Sequence, residues 1–394
     1  MNILTLSTYP IDIPQHGGQH RLYNIVRLYR EAGYTVEVVG VLGSDSYPST
    51  PGFADYPGFA SLAEHIKNPF LMDDWAIGQL FEKNDFFFEK LSGLITLKPD
   101  VIHVEQPWLF GFAFRYANNF KSSNIKIIYG SQNVEHKLKL DIMKTYATIT
   151  EAEHGAKKVL DCEVFALREA DGVCCVSRND LHWSRDYTNG RIVLAQNGVR
   201  DMPITIRGIK EANAITCHRK TALYCASSHA PNVQAFFEIF GAGVGFISPD
   251  ERLVVAGASG PIIENDFRFK KIPGLKRVYI AAGVVTDECI QGLLHTAHVV
   301  VLPITHGGGT NLKTAEALWS GKHVIATPTA MRGFEKFAHA KGVRVEEKAE
   351  GFRRAVRSAM AEEPLRLTQA DLEPRKLLLW ENQLQPLLNL IRSI

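Results

Sequence analysis

The chain lacks any uninterrupted apolar stretch of the roughly eighteen residues that a membrane-spanning helix requires. It also lacks net charge: 44 Lys+Arg stand against 42 Asp+Glu, which does not favour non-specific nucleic-acid binding. Cysteine is sparse, and the six at positions 162, 174, 175, 217, 225 and 289 form no C-x-x-C pair and no metal-like Cys/His spacing. They read as reduced thiols in a cytosolic core. No G-x-G-x-x-G follows the first apolar run, which argues against a dinucleotide cofactor, and no G-x-x-x-x-G-K-[ST] marks a P-loop. G-x-S-x-G and H-E-x-x-H are missing, which removes the commonest hydrolase readings. No Asp-x-Asp pair is present to hold a divalent ion on a nucleotide, so the expectation is that no metal cofactor is needed.

What is there is a globular composition, 45% hydrophobic over 394 residues, enough for two domains with separate cores. The most informative stretch runs from Val299 to Leu318. An apolar β-branched run (Val299–Leu302) leads into Gly307-Gly308-Gly309, and Thr310-Asn311-Leu312-Lys313 opens an amphipathic helix. A strand, a glycine turn and a helix N-terminus make a site for anions, because unpaired N–H groups and the helix dipole point into the turn. Lys313 adds a full positive charge. Glu316, three residues on, can accept hydrogen bonds from sugar hydroxyls, so a diphosphate joined to a ribose fits better than bare phosphate.

Strand and helix patterns alternate along the whole chain, as expected of α/β architecture with parallel sheets. In the first half, strands are expected at Ile3–Ser7, Thr35–Leu42, Val101–Val104, Ile125–Tyr129, Gly172–Ser177 and Ile192–Ala195. Gly17-Gly18 reads as a loop ahead of a helix at Gln19–Ala32. A break near Asn197-Gly198-Val199 and a polar stretch at Ile206–Lys220 precede a restart. Strands then follow at Thr221–Ala226, Arg252–Ala256, Val278–Ala282, Val299–Leu302 and His323–Thr327, with a helix opening at Ala230. The domains are drawn as 1–203, 204–372 and a C-terminal helix, 373–394, crossing back to the first. Each half reads as a doubly wound, Rossmann-like sheet, with both facing a central cleft where ligands of open α/β sheets bind. Glycine loops at equivalent places, Gly17-Gly18 and Gly307–Gly309, suggest a diphosphate between them.

Five segments give the chain a resemblance to a known family: Gly17-Gly18 with Arg21; Tyr129-Gly130-Ser131-Gln132-Asn133-Val134-Glu135; Asp171–Ser177 with Asn197-Gly198-Val199; Ser227-Ser228-His229-Ala230-Pro231-Asn232; and Gly307–Ala317. The chain resembles the family 4 nucleotide-sugar glycosyltransferases of GT-B architecture, in particular the bacterial branch that builds polysaccharides. The resemblance implies a retaining transferase acting on a nucleoside-diphosphate sugar, with a glycan or lipid-linked saccharide as acceptor. It implies that Glu316 binds the ribose and that Gly308, Gly309, Thr310, Asn311 and Leu312 hold the diphosphate. Gly283, Val284 and Val285 would flank the base. Gly17 and Gly18 would approach the diphosphate, and Glu105, Gln132, Asn133 and Glu135 would lie on the acceptor side. Three departures stand out. The Glu-x7-Glu pair common in retaining relatives has Gly308 in place of its first glutamate. Gln132 stands where a histidine is frequent. The Arg and Lys usual after the first strand of the second domain give way to Ser227–Asn232, which leaves Lys313, with His229 or His306, to meet the phosphate charge.

Several residues carry a second reading. His229 can contact phosphate or stabilise its loop; Glu105 and Glu135 can serve the acceptor or charge a helix N-terminus, the latter favoured. Asn133 or His136 is expected to cap a helix. Trp75, Phe81 and Phe86-Phe87-Phe88 form either a lipid-facing surface, compatible with peripheral work at the inner membrane face, or a core stripe, which is favoured. The N-terminus reads as a strand, not a secretion signal, so a cytoplasmic location is expected. The functional alternatives are a silent sugar-nucleotide-binding subunit and an epimerase or hydrolase on the same frame.

Overall fold

The computed structural model describes residues 1–63, 69–119, 124–241, 243–272, 274–306 and 310–394. Gly307, Gly308 and Gly309, on which the diphosphate loop was expected, lie outside the described residues. The chain divides into two units, Met1–Gln196 with Gln383–Ile394, and Asn197–Asn382.

The first unit holds strands β1 (Asn2–Ser7), β2 (Thr35–Val41), β3 (Phe53–Ala54), β4 (Val101–Glu105), β5 (Lys126–Ser131), β6 (Gly172–Cys175) and β7 (Arg191–Leu194). They form one sheet in the order β3-β2-β1-β4-β5-β6-β7, with every described pairing parallel. The helices are α1 (Gly17–Glu31), α2 (Gly58–Ala63), α3 (Pro69–Lys83), α4 (Asp85–Ser92), α5 (Phe110–Asn119), α6 (Glu135–Tyr146), α7 (Ile149–Glu169) and α8 (Arg178–Arg185). The second unit holds α9 (Ile206–Thr216), β8 (Lys220–Cys225), α10 (Ala230–Phe240), β9 (Glu251–Ala256), α11 (Ser259–Asn265), α12 (Phe267–Lys270), β10 (Tyr279–Gly283) and α13 (Asp287–Thr296). It continues with β11 (Val299–Leu302), α14 (Leu312–Trp319), β12 (His323–Ala326), β13 (Val343–Val345), α15 (Ala349–Ala361) and α16 (Gln369–Leu372). Its sheet runs β10-β9-β8-β11-β12-β13, again parallel throughout.

Strands β1, β4, β5, β8, β9, β11 and β12 run through the cores on apolar, often β-branched residues such as Ile3, Leu4, Ile102, Val104, Val254, Val255, Val299 and Val301, all fully or almost fully buried. Parallel strands covered on both faces read as such continuous runs. In each sheet the strand order reverses once, between β1 and β4 and between β8 and β11. At such a switch point the loops leaving neighbouring strands diverge to opposite faces and open a crevice at the carboxyl ends.

Four expectations need correction. Gly17-Gly18 is not a loop but the first turn of α1, because Gln19 Oε1 accepts from the backbone N–H of Gln15 (2.7 Å) and closes the helix start at His16. Ile206–Lys220 is mostly helix α9, whose buried stripe is Gly208, Ala212 and Thr216. A stripe of small residues carries little hydrophobic signal, yet here it lets α13 approach so closely that a Cβ on Gly292 would collide with the Gly208 carbonyl. The domain break falls at Asn197 rather than after 203, since Val199 forms a parallel bridge with Leu379 (Val199 N–H to Leu378 C=O, 2.8 Å) inside the second unit. Residues 373–394 are not one helix. Glu373–Leu378 is 3-10, followed by α17 (Trp380–Gln383) and α18 (Gln385–Arg392), and Gln383–Ile394 clusters with the first unit.

The aromatic stretch is mostly core: Phe81 and Phe88 are buried and Trp75 and Phe87 pack against the same cluster, whereas Phe86 is exposed. Cys174, Cys175 and Cys289 are buried thiols, but Cys217 is exposed, at the left-handed C-cap of α9. None of the described helices is long and apolar enough to cross a membrane.

Candidate functional site

In the second unit, the switch point is lined by the segment after β8 and by the start of α14. Asn311 is the N-cap of α14, and its Oδ1 accepts the backbone N–H of Lys313 at 3.0 Å. The carbonyl of Thr310 is met by Asn197 Nδ2 at 3.4 Å, while the Thr310 hydroxyl is buried with no hydrogen-bond partner among the described residues. Lys313 and Glu316 are both half-buried and share the face turned toward Cys225, at the end of β8. Burial pushes the Lys313 ammonium down, against the pull of Cys225 and Glu316. Burial pushes the Glu316 carboxyl up to about 7; Lys313 opposes that shift and Asp287, at the start of α13, adds to it.

The loop after β8 is fixed by its own polar groups. Asn232 Nδ2 donates to the carbonyl and the hydroxyl of Ser227, each at 3.1 Å, and the Ser259 hydroxyl also donates to that carbonyl. Lys313 Nζ reaches Asn232 Oδ1 at 3.5 Å. His229, at the N-cap position of α10, is exposed as a residue, but partial desolvation of its ring, with Lys313 nearby, lowers its pKa. His306 is engaged elsewhere: with Thr305 it grips the Glu238 carboxylate of α10, at 3.1 and 2.5 Å. It is therefore not turned to a phosphate site in this conformation. Gly283 ends β10 in a left-handed conformation (φ +68°), Val284 beside it is exposed, and Val285 packs on the core.

In the first unit the corresponding place, past the ends of β1, β4 and β5, is a buried charged network. Arg21 Nε lies 3.4 Å from Glu105 Oε2, both side chains essentially without exposure. His103 Nε2 meets Glu105 Oε1 at 3.0 Å, and the Tyr29 hydroxyl meets His103 Nδ1 at 2.6 Å. Gln132 Nε2 donates to Glu105 Oε2 (2.6 Å) and to the Tyr9 hydroxyl (2.7 Å). Its remaining oxygen faces Gly18, where an added Cβ would lie 3.0 Å from Oε1 and from the Tyr9 hydroxyl. Burial alone would raise the Glu105 carboxyl, but Arg21, His103 and Gln132 together hold it below the usual range. Burial alone would lower the His103 imidazole, but hydrogen bonds with Cys174 and Glu105 raise it to about 9. Ligand atoms of His103, Glu105 and Cys174 lie within 4.8 Å of one another. With the Arg21 guanidinium already on Glu105 and near Cys174 (3.8 Å), the cluster is an ion-pair network rather than a cation cage.

Glu135 is buried at the first position of α6, the helix-terminus placement; burial, with Glu163 adding, pushes its carboxyl up to about 7 although Asn133 donates to it at 3.1 Å. Neither Asn133 nor His136 caps α6. Glu163 of α7 does so across the fold, accepting from the backbone N–H of Glu135 (2.6 Å) and of His136 (2.9 Å). Gln106, directly after Glu105, holds a left-handed backbone (φ +66°), a strained conformation of the kind that clusters at functional sites. Tyr9, Tyr29, His103, Glu163, Asp287 and Asn232's link to Lys313 were not singled out in the sequence. Each pairs with a partner distant in the chain, and no local spacing announces it.

Comparison with known proteins bears on the family and the fold. Residues 16–201 match the family described as Glycosyltransferase Family 4, and residues 219–362 match Glycosyl transferases group 1. No curated protein matches the sequence. Among solved structures, the chain is similar to sucrose-phosphate synthase from Thermosynechococcus elongatus, with a TM-score of 0.69 at 16% identity, covering 100% of this chain and 98% of that one. It is also similar to WaaG, a glycosyltransferase involved in lipopolysaccharide biosynthesis (TM-score 0.63, 13% identity, 100% and 98% covered). A third similar structure is trehalose-6-phosphate from E. coli bound with UDP-2-fluoro glucose (TM-score 0.57, 11% identity, 100% and 96% covered). The two matched stretches take up most of both units, and the chain is a family 4 glycosyltransferase of GT-B architecture.

Proposed function

We propose that the second unit binds a nucleoside-diphosphate sugar and that the first unit receives a saccharide acceptor, in the assembly of a surface or exported glycan. The observation that carries the donor reading is the pairing of Lys313 and Glu316 on one face of α14, at the switch point of the second sheet. The first-turn N–H groups and Lys313 suit the diphosphate, and the Glu316 carboxylate suits two ribose hydroxyls. A structurally similar protein bound with a UDP-sugar supports the same assignment. Gly283–Val285 would flank the base, and Gln132, Glu105, Asn133 and Glu135 would line the acceptor side.

The transfer we propose is retaining and does not depend on a metal. The bond from the anomeric carbon to the diphosphate breaks through an oxocarbenium-like state, and the acceptor oxygen bonds to that carbon on the departing face. The acceptor proton passes to a diphosphate oxygen, so no carboxylate base is required. Neutralising the leaving diphosphate is then the largest lever, and Lys313 with the α14 dipole supplies it.

Lys313→Ala is expected to lower kcat by about 10²–10³-fold while weakening donor binding only roughly tenfold. Steady-state kinetics of nucleotide release checks it, and an unaltered kcat removes Lys313 from that role. Measuring nucleotide release with and without saccharides tests the activity: acceptor-dependent release supports transfer, and release indifferent to acceptor supports hydrolysis.

A further inference from the structure

We propose that Asn232 is a positioning residue that keeps the Lys313 ammonium out of a direct ion pair, so that its charge is available to the donor diphosphate. This rests on the donor reading above and gives it a chain-specific device. Among the described residues, Lys313 has no carboxylate partner at ion-pair distance; the acceptor facing its ammonium is the neutral amide oxygen of Asn232, 3.5 Å away.

The orientation of that amide follows from chemistry. Nδ2 points at the Ser227 carbonyl, an acceptor only, and the oxygen is left for an ammonium, a donor only. Ser227 is itself held by the Ser259 hydroxyl, and the Asn232 carbonyl accepts from Tyr224 at 3.3 Å, so the amide is anchored from the β8 side. A 3.5 Å contact to a neutral oxygen places the ammonium without satisfying it. The ammonium has already lost part of its hydration through burial, and a neutral partner returns little of it. An arriving diphosphate recovers that cost, whereas a carboxylate at position 232 would have recovered it in advance. The Thr310 hydroxyl, buried just ahead of the α14 N-cap and without a hydrogen-bond partner among the described residues, is a second polar group in the same neighbourhood.

The test uses the full-length chain and inorganic pyrophosphate, which carries the diphosphate chemistry without a base or sugar. Calorimetric titrations at low salt compare the native chain with Lys313→Ala, Asn232→Ala and Asn232→Asp, alongside thermal unfolding of each. Asn232→Asp is expected to lose pyrophosphate affinity by about tenfold or more, as much as Lys313→Ala, while its melting temperature rises, because the new carboxylate pairs with the ammonium. Asn232→Ala is expected to fall between native and Asp in affinity. In the Lys313→Ala background, Asn232→Ala should cost no further affinity, since the asparagine acts through that one charge.

A role in loop structure alone would lower affinity and melting temperature together, and that result overturns the inference. Native-like binding by Asn232→Asp beside weakened Lys313→Ala overturns it too and leaves the donor reading standing. Native-like binding by Lys313→Ala overturns both.

Discussion

Glu105→Ala is expected to destabilise the protein by about 3–5 kcal/mol, the usual cost of removing one partner from a buried ion pair. The alanine leaves the Arg21 guanidinium, 1% exposed, without its carboxylate, and leaves Gln132 Nε2 and the His103 imidazole short of an acceptor. Arg21 retains the Ala195 carbonyl at 2.8 Å, which satisfies a donor but not a charge. Urea unfolding measures the effect, and a loss below about 1 kcal/mol would mean that the pair is not buried as described. Replacing Arg21 and Glu105 together by apolar residues of similar volume should cost far less than either single change, because what is expensive is the unpaired charge.

Glu316→Gln is expected to stabilise the protein at alkaline pH and to weaken donor binding. The folded-state carboxyl titrates near 7, above its ordinary value of 4.5, because it is desolvated. A raised pKa means that the neutral carboxyl's contribution is fully present below about pH 4.5 and is lost as pH rises through about 7. At pH 8 the native chain carries an ionised, half-buried carboxylate that the glutamine does not, so the variant should melt about 2–4 °C higher. At pH 4.5 the difference should vanish. The gain comes with a loss of ligand affinity: an amide offers the ribose one neutral oxygen in place of a charged pair, a deficit of about tenfold or more. Donor affinity of the native chain should also fall below pH 7, as the carboxylate is protonated. Thermal melts at both pH values and calorimetry with nucleoside diphosphates check the pair of effects. Loss of stability at pH 8 would show Glu316 to be a structural residue.

Much of the second unit's candidate site could be drawn from the sequence because its parts are consecutive. The β11 run, Asn311 at the helix start, Lys313 and Glu316 lie within one stretch, and a strand-to-helix turn has a fixed geometry. The long buried strands were legible for the same reason, while β3 and β13, at two and three residues, are too short to show a period. Helix α9 was missed because it packs through Gly208 and Ala212, which register as neither apolar nor amphipathic. The buried polar network of the first unit was only half seen. Glu105 and Gln132 stood out, yet what sets their charge and orientation comes from Tyr9, Arg21, Tyr29 and His103, brought in by other segments. Glu163 capping α6 from α7 is the same lesson for a helix end, since local capping residues were the natural candidates and a distant carboxylate took the role.

The account depends on the first turn of α14 gripping a diphosphate while Glu316 holds its ribose. Hydrogen exchange read at single amides, with and without each of UDP, GDP, ADP and TDP, tests this most directly. The N–H groups of Asn311 and Leu312, ahead of the Lys313 N–H that the Asn311 side chain already caps, should slow strongly with at least one nucleotide, and that slowing should be lost in Glu316→Ala. Nucleotide binding that leaves these amides exchanging at their free rates would contradict it.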